Sequence, residues 1–161
     1  MVARGIAHVI MNDTPLLTAI FDDLIVSTIL VVLTVAFHGT VLTLLARLLR
    51  SEAREEAAHH VPALSLRSLM FTVALVLALF TLHGVEIWTY ALVYVAIGAI
   101  GDISTAAYYS TISYAAIGYT DHYIAPEWRM VAAIEGINGL LLMGWSTAFF
   151  VSVVTQFQQR R

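Results

Sequence analysis

The sequence predicts an all-helical integral membrane protein in which three helices span the bilayer and one further segment enters and leaves it on the same side. Three observations support this fold class. Of the 161 residues, 60% are hydrophobic and only 12% are charged, whereas soluble domains average about 25% charged residues. Three apolar stretches are each long enough for a spanning helix, which needs about 20 residues. The arginines cluster beside these stretches in a way that restricts the topology.

The first apolar stretch covers about residues 24–45 and lies in an N-terminal region, residues 1–50, with a helix over about 16–50. A polar linker follows over residues 51–65, and we expect it to be cytoplasmic and helical up to Pro62. It contains His59 and His60, which would point about 100° apart on a helix. With no further ligand nearby, this pair predicts a solvated linker rather than a metal site.

The second region, residues 66–157, carries the other two long apolar stretches. One extends from about 68 to 100 and predicts a helix over about 66–98, interrupted only by Glu86 as a formal charge. The other extends from about 130 to 154 and predicts a helix over about 127–157, with Glu135 near its start. A short helix is expected between them over about 104–115. Residues 158–161 form a predicted cytoplasmic tail.

The distribution of basic residues predicts the topology. All eight are arginines, and six of them flank the first loop or end the chain: Arg47, Arg50, Arg54, Arg67, Arg160 and Arg161. If residues 104–121 are re-entrant, three spans place all six on one face, which the positive-inside rule makes cytoplasmic. A full crossing by that segment would instead send the tail arginines outside. The arginines therefore favour a re-entrant loop and an N-terminus outside.

Composition also excludes several classes of function. The chain has no cysteine, so disulfides and thiolate metal sites are excluded. No basic patch with interleaved aromatic residues appears, so we expect no nucleic-acid partner. No nucleophile–base set, phosphate-binding glycine loop or metal-ligand cluster is visible, so we expect neither an enzyme nor a bound cofactor.

A motif between the second and third apolar stretches resembles the potassium-channel pore family. Tyr108-Tyr109-Ser110 is similar to the aromatic end of the family's pore helix, and a Gly-Tyr-x-Asp core follows at the right distance. The resemblance extends over about residues 66–154 and implies a two-transmembrane pore domain of prokaryotic channel type, preceded here by an extra helix. The implied selectivity filter is Ala116, Ile117, Gly118, Tyr119, Thr120 and Asp121.

The resemblance implies that four identical chains form one pore in the cytoplasmic membrane of a prokaryote. Potassium must shed its water, and rings of backbone carbonyl oxygens replace that hydration shell. The implied potassium ligands are the carbonyls of Ile117, Gly118 and Tyr119. Glycine permits backbone angles that let successive carbonyls face one axis. The expected partners are therefore membrane lipid, three further copies of the chain and permeant monovalent cations.

Two departures from the family pattern leave alternatives open. Ala116 stands where the family has a threonine whose hydroxyl helps form the innermost ion site. Thr120 stands where the family has a second glycine, and a positive φ is unusual for a β-branched residue. Asp121 could brace the filter or attract cations. A non-selective cation channel and a non-conducting membrane subunit for assembly or regulation therefore remain alternatives to a potassium channel.

Glycines in the third stretch suggest either a hinge or close packing. Pro126 to Arg129 resembles the turn into the family's inner helix. Gly139 follows Arg129 by ten residues, the spacing at which many family members carry a hinge glycine, and Gly144 occupies a second frequent glycine position. Small residues are also common where membrane helices approach closely, so both interpretations remain open.

Polar residues at membrane depth are functional candidates by default. His83 and Glu86 are three residues apart and share a helix face, while His38 lies at mid-depth in the first stretch. A His38–Glu86 or His83–Glu86 pair could sense pH or hold the first helix to the pore, and we favour the structural role. Glu135 is expected to brace the filter from behind.

Aromatic residues near the outer ends of the apolar stretches suggest an interfacial belt. Trp88, Tyr90 and Tyr94 lie in the outer part of the second stretch, and Trp128 precedes the third. Such amphipathic rings are enriched at the level of the lipid headgroups. We therefore expect these four side chains at the membrane surface.

Overall fold

The computed structural model describes the backbone of residues 2–57, 66–118 and 122–159, and side chains within 21–49, 69–118 and 122–156 together with Leu66. Throughout these ranges the secondary structure is helical, without strands. Four α-helices are present: α1 (Val2–Ala57), α2 (Leu66–Ala96), α3 (Ile103–Tyr114) and α4 (Arg129–Gln159). A single 3-10 turn, Pro126–Trp128, leads into α4.

Three of these helices carry segments that are long and apolar enough to cross a membrane. The segments are Phe21–Leu49, Leu69–Ala96 and Pro126–Gln156. Helices suit this environment because every backbone hydrogen bond is satisfied within the segment. The predicted all-α membrane fold is therefore confirmed, and the chain is an integral membrane protein.

The first helix is longer than predicted. It begins at Val2 rather than near residue 16, and it continues to Ala57, inside the predicted linker. Alanine, glutamate and arginine dominate residues 51–57, and these are strong helix formers even without an apolar face. The apolar stretch therefore underestimates the length of this helix, which extends beyond it at both ends. His59, His60 and Pro62 lie outside the described residues.

A tight connection links α2 to α3. Gly98 has a φ of +73°, a left-handed conformation that ends helices and that glycine adopts at little cost. The helix therefore stops at Ala96, two residues before the predicted end. Asp102 then caps α3, because its Oδ1 accepts a hydrogen bond from the Thr105 backbone N–H at 2.9 Å.

The cap at Asp102 gives a pH-dependent prediction. The backbone N–H of Thr105 lowers the pKa of Asp102 below its ordinary value of 3.8. A lowered pKa means that the cap stabilises the fold above the ordinary pKa and is lost as the pH falls through the folded-state value. We expect Asp102→Ala to lower the thermal unfolding midpoint by a few degrees at pH 7, with the difference shrinking below pH 3.8.

Asp102→Asn is the matched control, because it keeps the acceptor oxygen without the titrating group. This variant should retain most of the native midpoint at pH 7, and its advantage over Asp102→Ala should stay the same at acidic pH, because an amide does not titrate there. Thermal unfolding in detergent across a pH series measures both effects. An Asp102→Ala midpoint equal to the native one at pH 7 would contradict the capping role.

The short helix α3 is re-entrant. Its last residue, Tyr114, contacts Glu86 of α2 and Gly139 of α4. Glu86 lies ten residues before the end of α2, and Gly139 lies ten residues after the start of α4, so each is about 15 Å from that end at 1.5 Å per residue. The tip of α3 therefore reaches about half of the roughly 30 Å hydrocarbon thickness.

The chain then returns to the side from which it entered. The backbone N–H of Ala125, just before α4, donates to the carbonyl of Ala99, just after α2, at 3.0 Å. The segment between these two residues thus begins and ends at one level of the structure. Because the chain enters and leaves at the same level, the predicted fold of three spans and one re-entrant helix is confirmed.

The core lies among the ends of α2, α3 and α4, and it overturns part of the expected aromatic belt. Tyr90 and Tyr94 are fully buried, whereas Trp88 is 51% exposed. The ring of Tyr94 meets that of Tyr109 edge to face at 5.9 Å. The belt prediction was wrong for both tyrosines because their hydroxyls find partners inside the bundle, which allows a buried tyrosine.

The additional helix α1 packs along α4. A Cβ atom at Gly39 would lie 2.9 Å from the Trp145 ring, so any larger residue here would require that ring to shift. Five residues earlier on α1, Thr34 accepts a hydrogen bond from the Asn138 amide at 2.8 Å, and the same amide donates to Tyr90 of α2 at 3.1 Å. Asn138 therefore joins α1, α2 and α4 in one buried contact.

Candidate functional site

The candidate filter begins at a capped helix end. The N–H of Ala116 donates to the Ser113 carbonyl at 2.9 Å, and the N–H of Ile117 donates to the Ile112 carbonyl at 3.1 Å. This pair of bonds is the Schellman motif, which places one residue in the left-handed conformation. That residue is Ala116, with a φ of +52°. A β-branched threonine, the family residue here, would be disfavoured in this conformation.

Beyond the cap, the described residues Ile117 and Gly118 are exposed. The Ile117 side chain is 77% exposed, and Gly118 has a φ of +119°. The sign of φ therefore alternates from Ala116 through Ile117 to Gly118. Tyr119, Thr120 and Asp121 lie outside the described residues, so the predictions that concern them stay predictions.

The tip of α3 rests on two glycines of α4. A Cβ atom at Gly139 would lie far inside contact distance of the Tyr114 carbonyl oxygen and 2.8 Å from its Cγ. At Gly136 a Cβ atom would lie 3.1 Å from the Ser113 carbonyl oxygen, whereas at Gly144 nothing lies within 4 Å. The structure thus places Gly139 at a tight helix contact and Gly144 in open space. Their role as hinges stays a prediction.

A first polar group, the Glu135 cluster, comprises Glu135, Tyr94 and Ser110. Glu135 is fully buried on α4, where it accepts hydrogen bonds from the Tyr94 hydroxyl and from Ser110 Oγ, each at 2.5 Å. Ser110 also lies 2.9 Å from the Ile87 carbonyl. This cluster joins α2, α3 and α4, and the role of Glu135 as a brace of the filter stays a prediction.

A second polar group, the Glu86 cluster, comprises Glu86, His38, His83, Tyr114 and Ser146. His38 Nδ1 lies 2.8 Å from Glu86 Oε1, and His83 Nδ1 lies 3.2 Å from Glu86 Oε2. The Tyr114 hydroxyl donates to Glu86 Oε2 at 2.5 Å, and Ser146 Oγ lies 3.3 Å from His38 Nε2. Both predicted histidine contacts occur together, and the cluster links all four helices. A role in pH sensing stays a prediction.

Some residues that form these buried polar contacts were not predicted from the sequence. Tyr114 resembled only a pore-helix residue, and Asn138 was not singled out. Two spacings carried a signal: Glu135 and Asn138 are three residues apart, and Tyr90 and Tyr94 are four apart, so each pair shares one helix face. The partners themselves lie up to 108 residues apart along the chain, and only the packed bundle brings them together.

Comparison with known proteins supports this architecture. A sequence model of a family described as ion channel matches residues 69–156, which is more than half of the chain. The matched region extends from α2 through α3 and the candidate filter into α4. No curated protein and no solved structure matches the chain. The protein therefore belongs to the two-transmembrane, potassium-channel-like family of ion channels, with α1 as an additional helix before the matched region.

Proposed function

We propose that this chain is one of four identical subunits of a channel that conducts potassium through rings of backbone carbonyl oxygens. The ligands are the carbonyls of Ile117, Gly118 and Tyr119. The observation that carries the proposal is the non-helical backbone at the tip of the re-entrant helix, about halfway through the membrane.

Exposure of this backbone argues for an oligomer. Non-helical backbone at membrane depth is tolerated only when protein or a water-filled cavity surrounds it. In the single chain, however, Ile117 is 77% exposed. Further copies of the chain around a common axis would cover its outer side and enclose a wet path on the inner side.

The backbone conformation supports ion coordination. Ala116 and Gly118 have positive φ and Ile117 between them does not, so this backbone is neither helix nor strand and can bring carbonyl groups to one side of the chain. The carboxyl end of α3 adds partial negative charge near the same point, because a helix carries roughly −0.5 elementary charge at that end. Both features favour a cation at mid-depth.

Symmetry supplies the remaining ligands. One chain contributes one carbonyl at each level, whereas a dehydrated potassium ion requires a ring of them. A closed ring of identical chains provides this through rotational symmetry, and the family resemblance implies four. With the arginine-rich loop and tail cytoplasmic, as the positive-inside rule favours, the filter opens to the outside of a prokaryotic cytoplasmic membrane.

Ion flux tests the proposal. We expect the full chain in liposomes to support potassium efflux, with a potassium-to-sodium permeability ratio well above one from bi-ionic reversal potentials. Gly118→Ala should abolish flux and leave the tetramer intact, because a φ of +119° disfavours any Cβ atom although nothing lies within 4 Å of it. Cross-linking or mass photometry counts the subunits.

Two other results would replace the proposal. A permeability ratio near one would establish a non-selective cation channel, for which the replacement of the family threonine by Ala116 provides a reason. A stable tetramer without flux would indicate a non-conducting subunit.

A further inference from the structure

We propose that His38, His83 and Glu86 bind a divalent transition-metal ion such as Zn²⁺, at a site outside the conduction path. Their donor atoms all lie within 4.8 Å of one another. The proposal goes beyond ion conduction, since it concerns a second, resident ion between α1 and α2.

Distances within the site approach those of a metal centre. Zinc binds imidazole nitrogen and carboxylate oxygen at about 2.0–2.2 Å in tetrahedral geometry, which separates neighbouring donors by about 3.3 Å. Glu86 oxygens already lie 2.8 Å from His38 Nδ1 and 3.2 Å from His83 Nδ1. These two contacts use different oxygens of the carboxylate, and the donor atoms of the three residues lie no more than 4.8 Å apart.

The helices present these ligands as metal sites in helix bundles do. His83 and Glu86 occupy positions i and i+3 of α2, and His38 faces them from α1. Bundle centres with carboxylate and histidine ligands use the same i, i+3 spacing and inward projection. Two imidazoles with one carboxylate suit zinc, copper, nickel or iron, whereas calcium and magnesium prefer oxygen ligands alone.

A further ring contact supports the ligand role of His38. Metal-bound histidines usually donate the N–H of the other ring nitrogen to a nearby acceptor, which fixes the tautomer. When His38 Nδ1 binds the ion, Nε2 carries the proton, and Ser146 Oγ lies 3.3 Å away as its acceptor. Ser146 on α4 is itself buried, at 5% exposure.

The Tyr114 hydroxyl completes the surroundings of the site. It lies 2.5 Å from Glu86 Oε2 and 2.9 Å from His83 Nδ1, in contact with two of the three proposed ligands. Tyr114 is the last residue of α3, and Ala116 follows two residues later. An ion bound here therefore ties α1 and α2 to the helix that positions the filter, and it should raise the thermal stability of the assembly.

Metal binding is measured on the full chain, purified without a histidine tag and stripped with a chelator. With Zn²⁺ as the probe in isothermal titration calorimetry, we expect one ion per chain and a higher unfolding midpoint. The double variant His38→Gln with His83→Gln should lose this binding. Replacement of His59, His60 and His122 by glutamine should preserve it, since the proposal assigns these residues no ligand role.

A milder pair of variants isolates the contribution of Ser146. Ser146→Ala should weaken zinc binding about tenfold, because it removes the partner that orients His38. Thr147→Ala is the matched control. Its hydroxyl is bonded to the Met143 carbonyl on its own helix at 2.8 Å, so the zinc affinity should not change.

Three results would overturn the metal site: no zinc binding by the native chain, binding retained in the His38/His83 double variant, or binding lost in the His59/His60/His122 variant. If the double variant does not fold, the zinc K-edge absorption spectrum of the native protein decides. Two imidazole ligands support the site, and fewer overturn it. Because no readout uses ion flux, failure here is distinct from failure of the potassium-channel proposal.

Discussion

Replacing Gly139 by alanine is expected to destabilise the protein by about 3 kcal/mol and to abolish ion flux. The added methyl group would collide with the carbonyl oxygen and the ring of Tyr114. Neither can move easily, since the carbonyl belongs to the end of α3 and the Tyr114 hydroxyl is bonded to Glu86. The tip of α3 would have to shift, and the filter backbone would shift with it.

Two other glycines of α4 provide matched controls. Gly144→Ala should leave stability unchanged or slightly higher, because nothing lies within 4 Å of its Cβ position and alanine favours helix. The stability of Gly136→Ala should lie between those of the other two variants, because its Cβ atom would lie 3.1 Å from the Ser113 carbonyl oxygen. Unfolding free energies from SDS titration, together with liposome flux, rank the three variants.

This ranking separates packing from hinge bending at Gly139. If the residue acts only as a hinge, Gly139→Ala should alter gating but keep native stability, and Gly144→Ala should behave similarly. Equal stability of Gly139→Ala and the native protein would therefore contradict the packing role.

Replacing Glu135 by leucine is expected to cost about 3 kcal/mol of stability and to reduce flux. Leucine is similar in volume but cannot accept the hydrogen bonds from Tyr94 and Ser110. A buried hydroxyl left without a partner carries its full desolvation penalty. Tyr94 contributes most of this loss, because Ser110 keeps the Ile87 carbonyl as an alternative acceptor at 2.9 Å.

Double-mutant cycles test this division of the energy. With Tyr94→Phe in the background, Glu135→Leu should cost much less, because the hydroxyl that it would orphan is gone. With Ser110→Ala in the background, the cost should stay nearly the same. Glu135→Gln retains an acceptor oxygen and should be milder than leucine. Equal costs in all backgrounds would show that the hydrogen bonds of Glu135 do not determine its contribution.

The membrane fold was predictable from the chain because it depends on local properties. About 20 consecutive apolar residues predict a spanning helix, and the arginines bias orientation independently of packing. The re-entrant α3 followed from the same rule, since a full crossing would have placed Arg160 and Arg161 on the opposite face.

Helix ends were less predictable, for reasons of local chemistry. The left-handed Gly98 ended α2 early, while the alanine and glutamate residues after Ser51 carried α1 onward without an apolar face. Hydropathy is insensitive to both effects, because one depends on a single backbone angle and the other on intrinsic helix propensity.

What the sequence by itself determined was therefore the class of the protein and its spans, whereas its candidate filter stays a prediction. Only the tertiary structure decided which polar groups meet: Glu86 with two histidines and Tyr114, and Glu135 with Tyr94 and Ser110. These partners come from different helices, and their contacts depend on the rotation and depth of each helix. The hydropathy of a segment says little about how its helix is rotated about its axis, whereas the donor–acceptor distance of a buried hydrogen bond can vary by only a few tenths of an ångström.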